Sequence, residues 1–463
     1  MSSDYNNLKV NKRKMTQVIA MWYLFFLPWQ MISQLSFLSV VFSASAKALS
    51  FLFHIIGLIL ILYDRKGKIQ MEDDNTSKLL QYFIIMVSIY HFTSFIMAVY
   101  LHDKVGTIGG EDTYRAILGQ IVYFIQYIFI ILYNREVFRI LKKDEIIKVI
   151  NRITVTLMNI GYIQIMLIEL GGFFIKLYDS INIFDNLWPS NLIILVKRIS
   201  LTGSEPAAAG VYIAVLILPF LLARCLYYGN TLKSMMQIGL WLPIIYYTKS
   251  STAYVLALVC LLIYLILYTS KTKNKGKIFL YFSFLLLIIV FIIPSFEVIK
   301  NTEFMEDIRY IVVDKVTNQT NRDTISRKIP LYVNYRIFLE YPLLGVGNGN
   351  QGFFYLSNLP QWAFSSYDIA LLITKATNTL SNGSLFFPSI LSGYGILGTV
   401  LMLVYFYKSY SITYKNKKEL EMFYYMYIIS SIVIVITGFT SEFVGNYMIW
   451  FILSIPYVKI LKE

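Results

Sequence analysis

The 463-residue chain has little charge: Asp, Glu, Lys and Arg together make up 15% of it, where a soluble domain carries about 25%. With 57% apolar residues and a mean hydropathy of +0.60, this excludes the string of about three soluble domains that length alone would suggest. Cysteine is almost absent. Cys225 and Cys260 both lie in apolar runs, which excludes a disulfide framework or zinc spacing and leaves packing as their reading. Three histidines, His54, His91 and His102, are scattered without a ligand cluster. There is no P-loop, internal repeat or heptad array, and the acidic cluster Glu72-Asp73-Asp74 falls on an expected cytoplasmic segment. No outward-facing Asp/Glu pair is spaced for a metal, so neither metal nor cofactor is expected.

What is present is apolar run after apolar run. A helix crosses the hydrocarbon core in about 20 residues. Twelve candidate spans follow, at 16–41, 46–63, 79–101, 114–134, 153–178, 207–228, 232–248, 250–270, 277–297, 384–408, 421–440 and 443–461. The fold class is therefore an all-α polytopic membrane protein of about 12 transmembrane helices. Its divisions are a nine-span bundle at 1–297, a large extracytoplasmic loop at 298–383 with an amphipathic helix, and C-terminal spans at 384–463. The first run is too long for a cleaved signal and lacks a small-residue cleavage site, so it reads as a retained helix.

With the N-terminus inside, 26 of the 41 basic residues fall on inner segments. By the positive-inside rule both termini are cytoplasmic. Topology thus accounts for most of the formal charge of +14, and no nucleic-acid partner is needed.

The outer segments carry the chemistry. Arg198 precedes Gly203-Ser204-Glu205-Pro206 and the small run Ala207–Gly210. Pro206 suits the first helical turn, Ser204 and Glu205 can cap it, and the small residues allow close approach of a backbone or lipid chain. Arg198 is a cation at the interface, either snorkelling or meeting an anionic head group. Lys249, with Ser250, Ser251 and Thr252, makes a second basic, hydroxyl-rich spot in a tight outer hairpin. Glu169 lies within the fifth span, as polar packing or a coupling site.

The large loop holds Arg327 and Lys328, then Tyr335-Arg336 on an expected amphipathic helix over 329–341 that stops before Pro342. Arg336 and Glu340 are i,i+4 partners on it, and Pro330 is expected to keep the helix from reaching Arg327. Gly345, Gly347, Gly349 and Gly352 then suggest a flexible backbone whose free N–H groups cradle anions. Gly347-Asn-Gly-Asn-Gln-Gly352 matches a dinucleotide-binding pattern, but without the strand and helix around it that the motif requires. Aromatic residues from Phe353 to Tyr367, interleaved with Asn, Gln and Asp, suit either a sugar face or a lid on the bundle.

The order Arg198…Gly203-Ser-Glu-Pro206, then Tyr335-Arg336-Ile-Phe-Leu-Glu-Tyr-Pro-Leu-Leu-Gly345-Val-Gly347, then Gly395-Ile-Leu-Gly398, resembles the Wzy polysaccharide polymerases of the O-antigen ligase superfamily. The resemblance implies a metal-independent glycosyltransferase with a GT-C-like fold in the bacterial cytoplasmic membrane. It would join undecaprenyl-diphosphate-linked oligosaccharide repeat units into surface polysaccharide, with membrane lipid, a chain-length regulator and a flippase as partners.

Carried onto this sequence, Arg198 and Arg336 contact the diphosphate and Arg327 does so more weakly. Glu205 orients an arginine or acts as base. Lys249, Tyr335, Gly345, Gly347 and Asn382 line the substrate. Ligases of the superfamily carry a His where this chain reads Thr377-Asn-Thr-Leu-Ser-Asn382, which favours polymerase over ligase. A lipid-linked oligosaccharide flippase is the competing reading from another class. It would show repeats and charges along a midplane path.

Overall fold

The computed structural model describes residues 2–29, 49–64, 75–108, 110–181, 189–203, 205–229, 232–271, 322–365, 385–439 and 447–457. These are helical, and among them the one β-bridge is isolated, between Ile108 and Glu111. In chain order the helices are α1 (Ser2–Phe25), α2 (Leu49–Asp64), α3 (Asn75–Val105), α4 (Thr113–Ile140), α5 (Lys143–Leu170), α6 (Phe173–Ile181) and α7 (Ser190–Val196). Then come α8 (Pro206–Tyr228), α9 (Leu232–Tyr247), α10 (Ser251–Lys271), α11 (Arg322–Glu340), α12 (Gln351–Tyr355), α13 (Phe386–Lys415), α14 (Lys417–Leu420), α15 (Met422–Gly438) and α16 (Tyr447–Leu453).

Five of these, α3, α5, α8, α10 and α13, are long and apolar enough to cross a membrane, and α2 and α15 are shorter apolar helices. The expected span 277–297, much of the large loop and Asn382 lie outside the described residues. So does the second half of the expected first span.

The fifth span departs from its expected bounds of 153–178. Helix α5 begins at Lys143 and stops at Leu170, because Gly171 and Gly172 both take positive φ, a conformation that ends helices and that glycine adopts at no steric cost. Glu169 therefore sits at a helix end, where the Tyr247 hydroxyl donates to it at 2.7 Å.

Helix α8 is the buried axis of the bundle and packs against α9, α10 and α15. Its centre, Ile213–Ile217, widens into a π-helix. Pro219 is the cause: it has no N–H to give to Val215 in an α-register or to Ala214 in a π-register. Side-chain donors from neighbouring helices reach both carbonyls. Ser430 Oγ donates to Val215 at 2.8 Å, and Cys260 Sγ donates to Ala214 at 3.3 Å. In a medium without water such carbonyls must be satisfied internally. Below the wide turn, Arg224 Nη1 reaches Asn151 Oδ1 at 3.1 Å and Gln237 Oε1 at 3.3 Å.

Segments expected on the inner side meet one another: Gln17 with the Ile140 carbonyl, Arg135 with Ser77, Lys143 with Glu419 and Glu421, and Lys271 with the Leu226 carbonyl. Segments expected outside meet likewise, Arg198 with Thr248 and Val346 with Ser392. Each of these contacts joins segments that the span pattern expects on the same side.

Candidate functional site

Two groups of the expected residues are assembled. The first is built on the turn after α7. Arg198 is half-buried and its Nε donates to the carbonyl of Thr248 at 3.1 Å. The neighbouring Ile199 N–H donates to Tyr247 O at 3.0 Å. Arg198 and Lys249, 51 positions apart in sequence, therefore share one corner at the end of α9. Three of the four non-glycine residues with positive φ among the described residues, Lys197, Leu201 and Lys249, lie here. Such strained backbone persists only where the surroundings fix it. The fixing is visible: buried Gln164 of α5 accepts from Leu201 N at 3.0 Å and donates to Leu201 O at 3.1 Å, and Thr202 Oγ1 donates to Pro28 O at 2.8 Å. Gln164 and Thr248 were not legible as site residues, since each looks like any polar residue in a span.

Pro206 occupies the first turn of α8 as expected, with Glu205 at the cap position. The Glu205 side chain makes no capping bond and is exposed. Ser204 lies outside the described residues. The small run does allow close approach, and what approaches is protein: a Cβ on Gly210 would stand 2.9 Å from Ala253 Cα of α10.

The second group is built on α11. Contrary to the expected break at Pro330, α11 runs from Arg322 through Pro330 to Glu340. The helix packs chiefly against α13, its inward face of Ile329, Val333 and Ile337 shares a buried cluster with Met97 and Leu101 of α3, and this packing works against the proline's penalty of about 3 kcal/mol. Arg327 and Arg336 thus lie on one helix, about two and a half turns apart. Arg336 and Tyr335 are exposed, and the expected Arg336–Glu340 pair is not formed among the described residues.

The loop after α11 is laced into α13. Gly395 has φ 59° and ψ −155° and breaks that helix. In an unbroken helix Ile396 and Leu397 would donate to Ser392 and Gly393. Instead Ile396 donates to Pro342 O at 2.8 Å and Leu397 to Leu343 O at 3.3 Å. The two released carbonyls accept from Val346 and Gly347, each at 2.9 Å. A Cβ on Gly345 would lie 2.4 Å from Gly393 C, and one on Gly395 2.5 Å from Leu343 C, so the crossing requires glycine on both sides.

This corrects the expected anion cradle. Gly345 N–H donates to Tyr341 O, Asn348 N–H to Ser94 Oγ, Gly349 N–H to Gln351 Oε1 and Asn350 N–H to Gly347 O. With Val346 and Gly347 engaged as above, every N–H from Gly345 to Asn350 is committed within the protein. The glycines permit close packing and hold the loop beneath Arg336. Around them, Asn348 Nδ2 donates to Gln120 Oε1 at 3.0 Å, and Ser392 Oγ donates to buried Asn334 Oδ1 at 2.5 Å. Burial pushes the Tyr355 hydroxyl up to about 12. It raises Tyr341 as well, with the Glu340 carboxylate beside it adding to the effect. Among the described residues no three His, Cys, Asp or Glu side chains gather as a metal ion would require.

No curated protein matches the chain. Residues 238–372 match the Wzy_C family model, described as O-antigen ligase. The match takes in Lys249, Arg327, Tyr335, Arg336, Gly345 and Gly347, while Arg198 and Glu205 precede it and Asn382 follows it. This stretch supports an O-antigen ligase-like membrane enzyme, within a superfamily that holds polymerases and ligases alike.

Proposed function

We propose that the protein is a polymerase that joins undecaprenyl-diphosphate-linked oligosaccharide repeat units at the outer face of the bacterial cytoplasmic membrane. The observation that carries this is the O-antigen ligase match over residues 238–372, which holds both Lys249, brought to Arg198, and Arg336.

In the proposed reaction an acceptor sugar hydroxyl attacks the anomeric carbon of the lipid-linked chain. The bond from that carbon to the diphosphate oxygen breaks, and its electron pair leaves with the diphosphate. Arg198 and Arg336, with Lys249 and Arg327 as lesser contacts, compensate that charge through forked, charge-assisted hydrogen bonds. The exposed Glu205 carboxylate takes the hydroxyl proton. Tyr335 and Asn382 contact sugar. The GT-C-like architecture, the chain-length regulator and the flippase partner belong to the same proposal.

A second reading is favoured by the description of the matched family: a ligase that moves a finished chain to a different acceptor. Purified protein given only lipid-linked repeat units separates the two. A ladder of products supports polymerase, and transfer only when a second lipid acceptor is added supports ligase.

A further inference from the structure

We propose that α11 lies in the plane of the outer leaflet, with its outward face dissolved in lipid. The helix is apolar on two opposite sides. Ile329, Val333 and Ile337 are buried, on a helix packed against α13 and in a cluster shared with Met97 and Leu101 of α3. On the other side Leu331, Tyr335 and Leu339 are exposed by 47, 52 and 52%, and Leu343 just beyond by 71%. At 100° per residue, Leu331, Tyr335 and Leu339 fall in one stripe together with exposed Lys328, Arg336 lies about 60° beyond Leu339, and Glu340 falls on the far side with Ile329 and Val333. Exposed Leu and Tyr side chains, with a Lys that can snorkel among them and an Arg beside them, suit a helix lying at a lipid–water boundary.

The occupant follows from what the stripe adjoins. The inward face of α11 shares a buried cluster with Met97 and Leu101 in the last turns of α3, where that membrane-crossing helix exposes Phe95, Ile96 and Val99. At its other end Leu343 is hydrogen-bonded to Leu397 of α13, a second membrane-crossing helix, which exposes Ile396 and Leu397. The outward stripe is thus continuous with the apolar surfaces that two spans present to acyl chains. Tyr332 and exposed Trp362 meet edge to face, ring centroids 6.3 Å apart, beside the stripe, and Tyr and Trp concentrate at this depth. Arg336 then stands at phosphate level on the lipid side of the protein, so that a lipid-borne phosphate reaches it by lateral diffusion. This placement concerns the membrane alone and holds whether the enzyme is polymerase, ligase or neither.

The test uses full-length protein in phosphatidylethanolamine/phosphatidylglycerol nanodiscs. Leu339→Cys and Glu340→Cys are labelled with an environment-sensitive fluorophore. Cys225 and Cys260 are buried, and the unsubstituted protein reports any background labelling. Expected are a blue-shifted emission at 339, its quenching by brominated acyl chains, and quenching by aqueous iodide at 340. Iodide quenching at both positions without an effect of brominated lipid overturns the proposal. So does protection of 339 from both quenchers, which would mean protein covers the stripe. If Leu339→Cys fails to fold, Leu331→Cys reads the same face.

Discussion

Ile396 donates its backbone N–H to the carbonyl of Pro342 at 2.8 Å, across 54 positions of sequence. That bond belongs to a reciprocal exchange in which α13 surrenders two of its own hydrogen bonds and takes four with the outer loop. The loop that follows the helix of Arg336 is therefore tied to α13 by backbone, with side chains such as Asn348 and Ser94 adding to the hold.

Gly345→Ala and Gly395→Ala should each cost at least about 2 kcal/mol, since the added Cβ meets backbone at a positive φ. Gly239→Ala is the control: its Cβ would meet nothing within 4 Å, and alanine favours the helix by about 1 kcal/mol. Thermal denaturation in detergent should show the first two variants melting early and the third unchanged or higher.

The two arginines should separate by readout. Arg336 makes no hydrogen bond or ion pair among the described residues, so Arg336→Ala should abolish long polymer while leaving the melting temperature unchanged. Arg198 tethers a strained turn to Thr248, so Arg198→Ala should abolish polymer and also lower stability by about 1 kcal/mol. Lys at 198 should not rescue, because it has no second nitrogen to engage phosphate while holding the carbonyl. Polymer ladders on gels from cells carrying each variant, with single repeat units still reaching the surface, check this. Normal polymer in both would remove these residues from the site.

Ser430→Ala removes the side-chain donor to the Val215 carbonyl of the π-turn. The expected loss is about 1–2 kcal/mol, measured by unfolding in detergent. Ser430→Thr should retain most of the stability. A fully stable Ser430→Ala protein would mean that the wide turn relaxes to satisfy itself.

Purified enzyme should build polymer from lipid-linked units in the presence of EDTA. A strict requirement for an added divalent cation would overturn the arginine-based account of diphosphate departure.

Much of the helical layout was readable from apolar runs, because a span needs little beyond length and hydropathy. Pro206 at the start of α8 was readable too, since a proline's preference for a first turn is local. What misled were features decided by distant partners. Pro330 looks like a helix boundary until α13, with Met97 and Leu101 of α3, supplies packing for the helix on both sides of it. The glycines from Gly345 to Gly349 look like free donors until Tyr341, α13 and Gln351 claim their N–H groups. Arg198 and Lys249 are each visible as interfacial cations, but nothing in the sequence says that they share a corner. Their meeting depends on Gln164, a buried amide with no sequence signature.

The wide turn at Ile213–Ile217 also sets a phase. A π-turn holds one residue more than a regular turn, so everything after it is rotated by about 100° relative to an uninterrupted helix. Arg224 is aimed at Asn151 and Gln237 only because of that extra residue. Closing the turn to a regular register with the sequence unchanged would swing Arg224 away from both partners, whereas deleting one residue of the turn would remove the bulge and leave Arg224 in place. The bulge works as an indexing step, coupling the angular setting of one end of α8 to the proline near its middle.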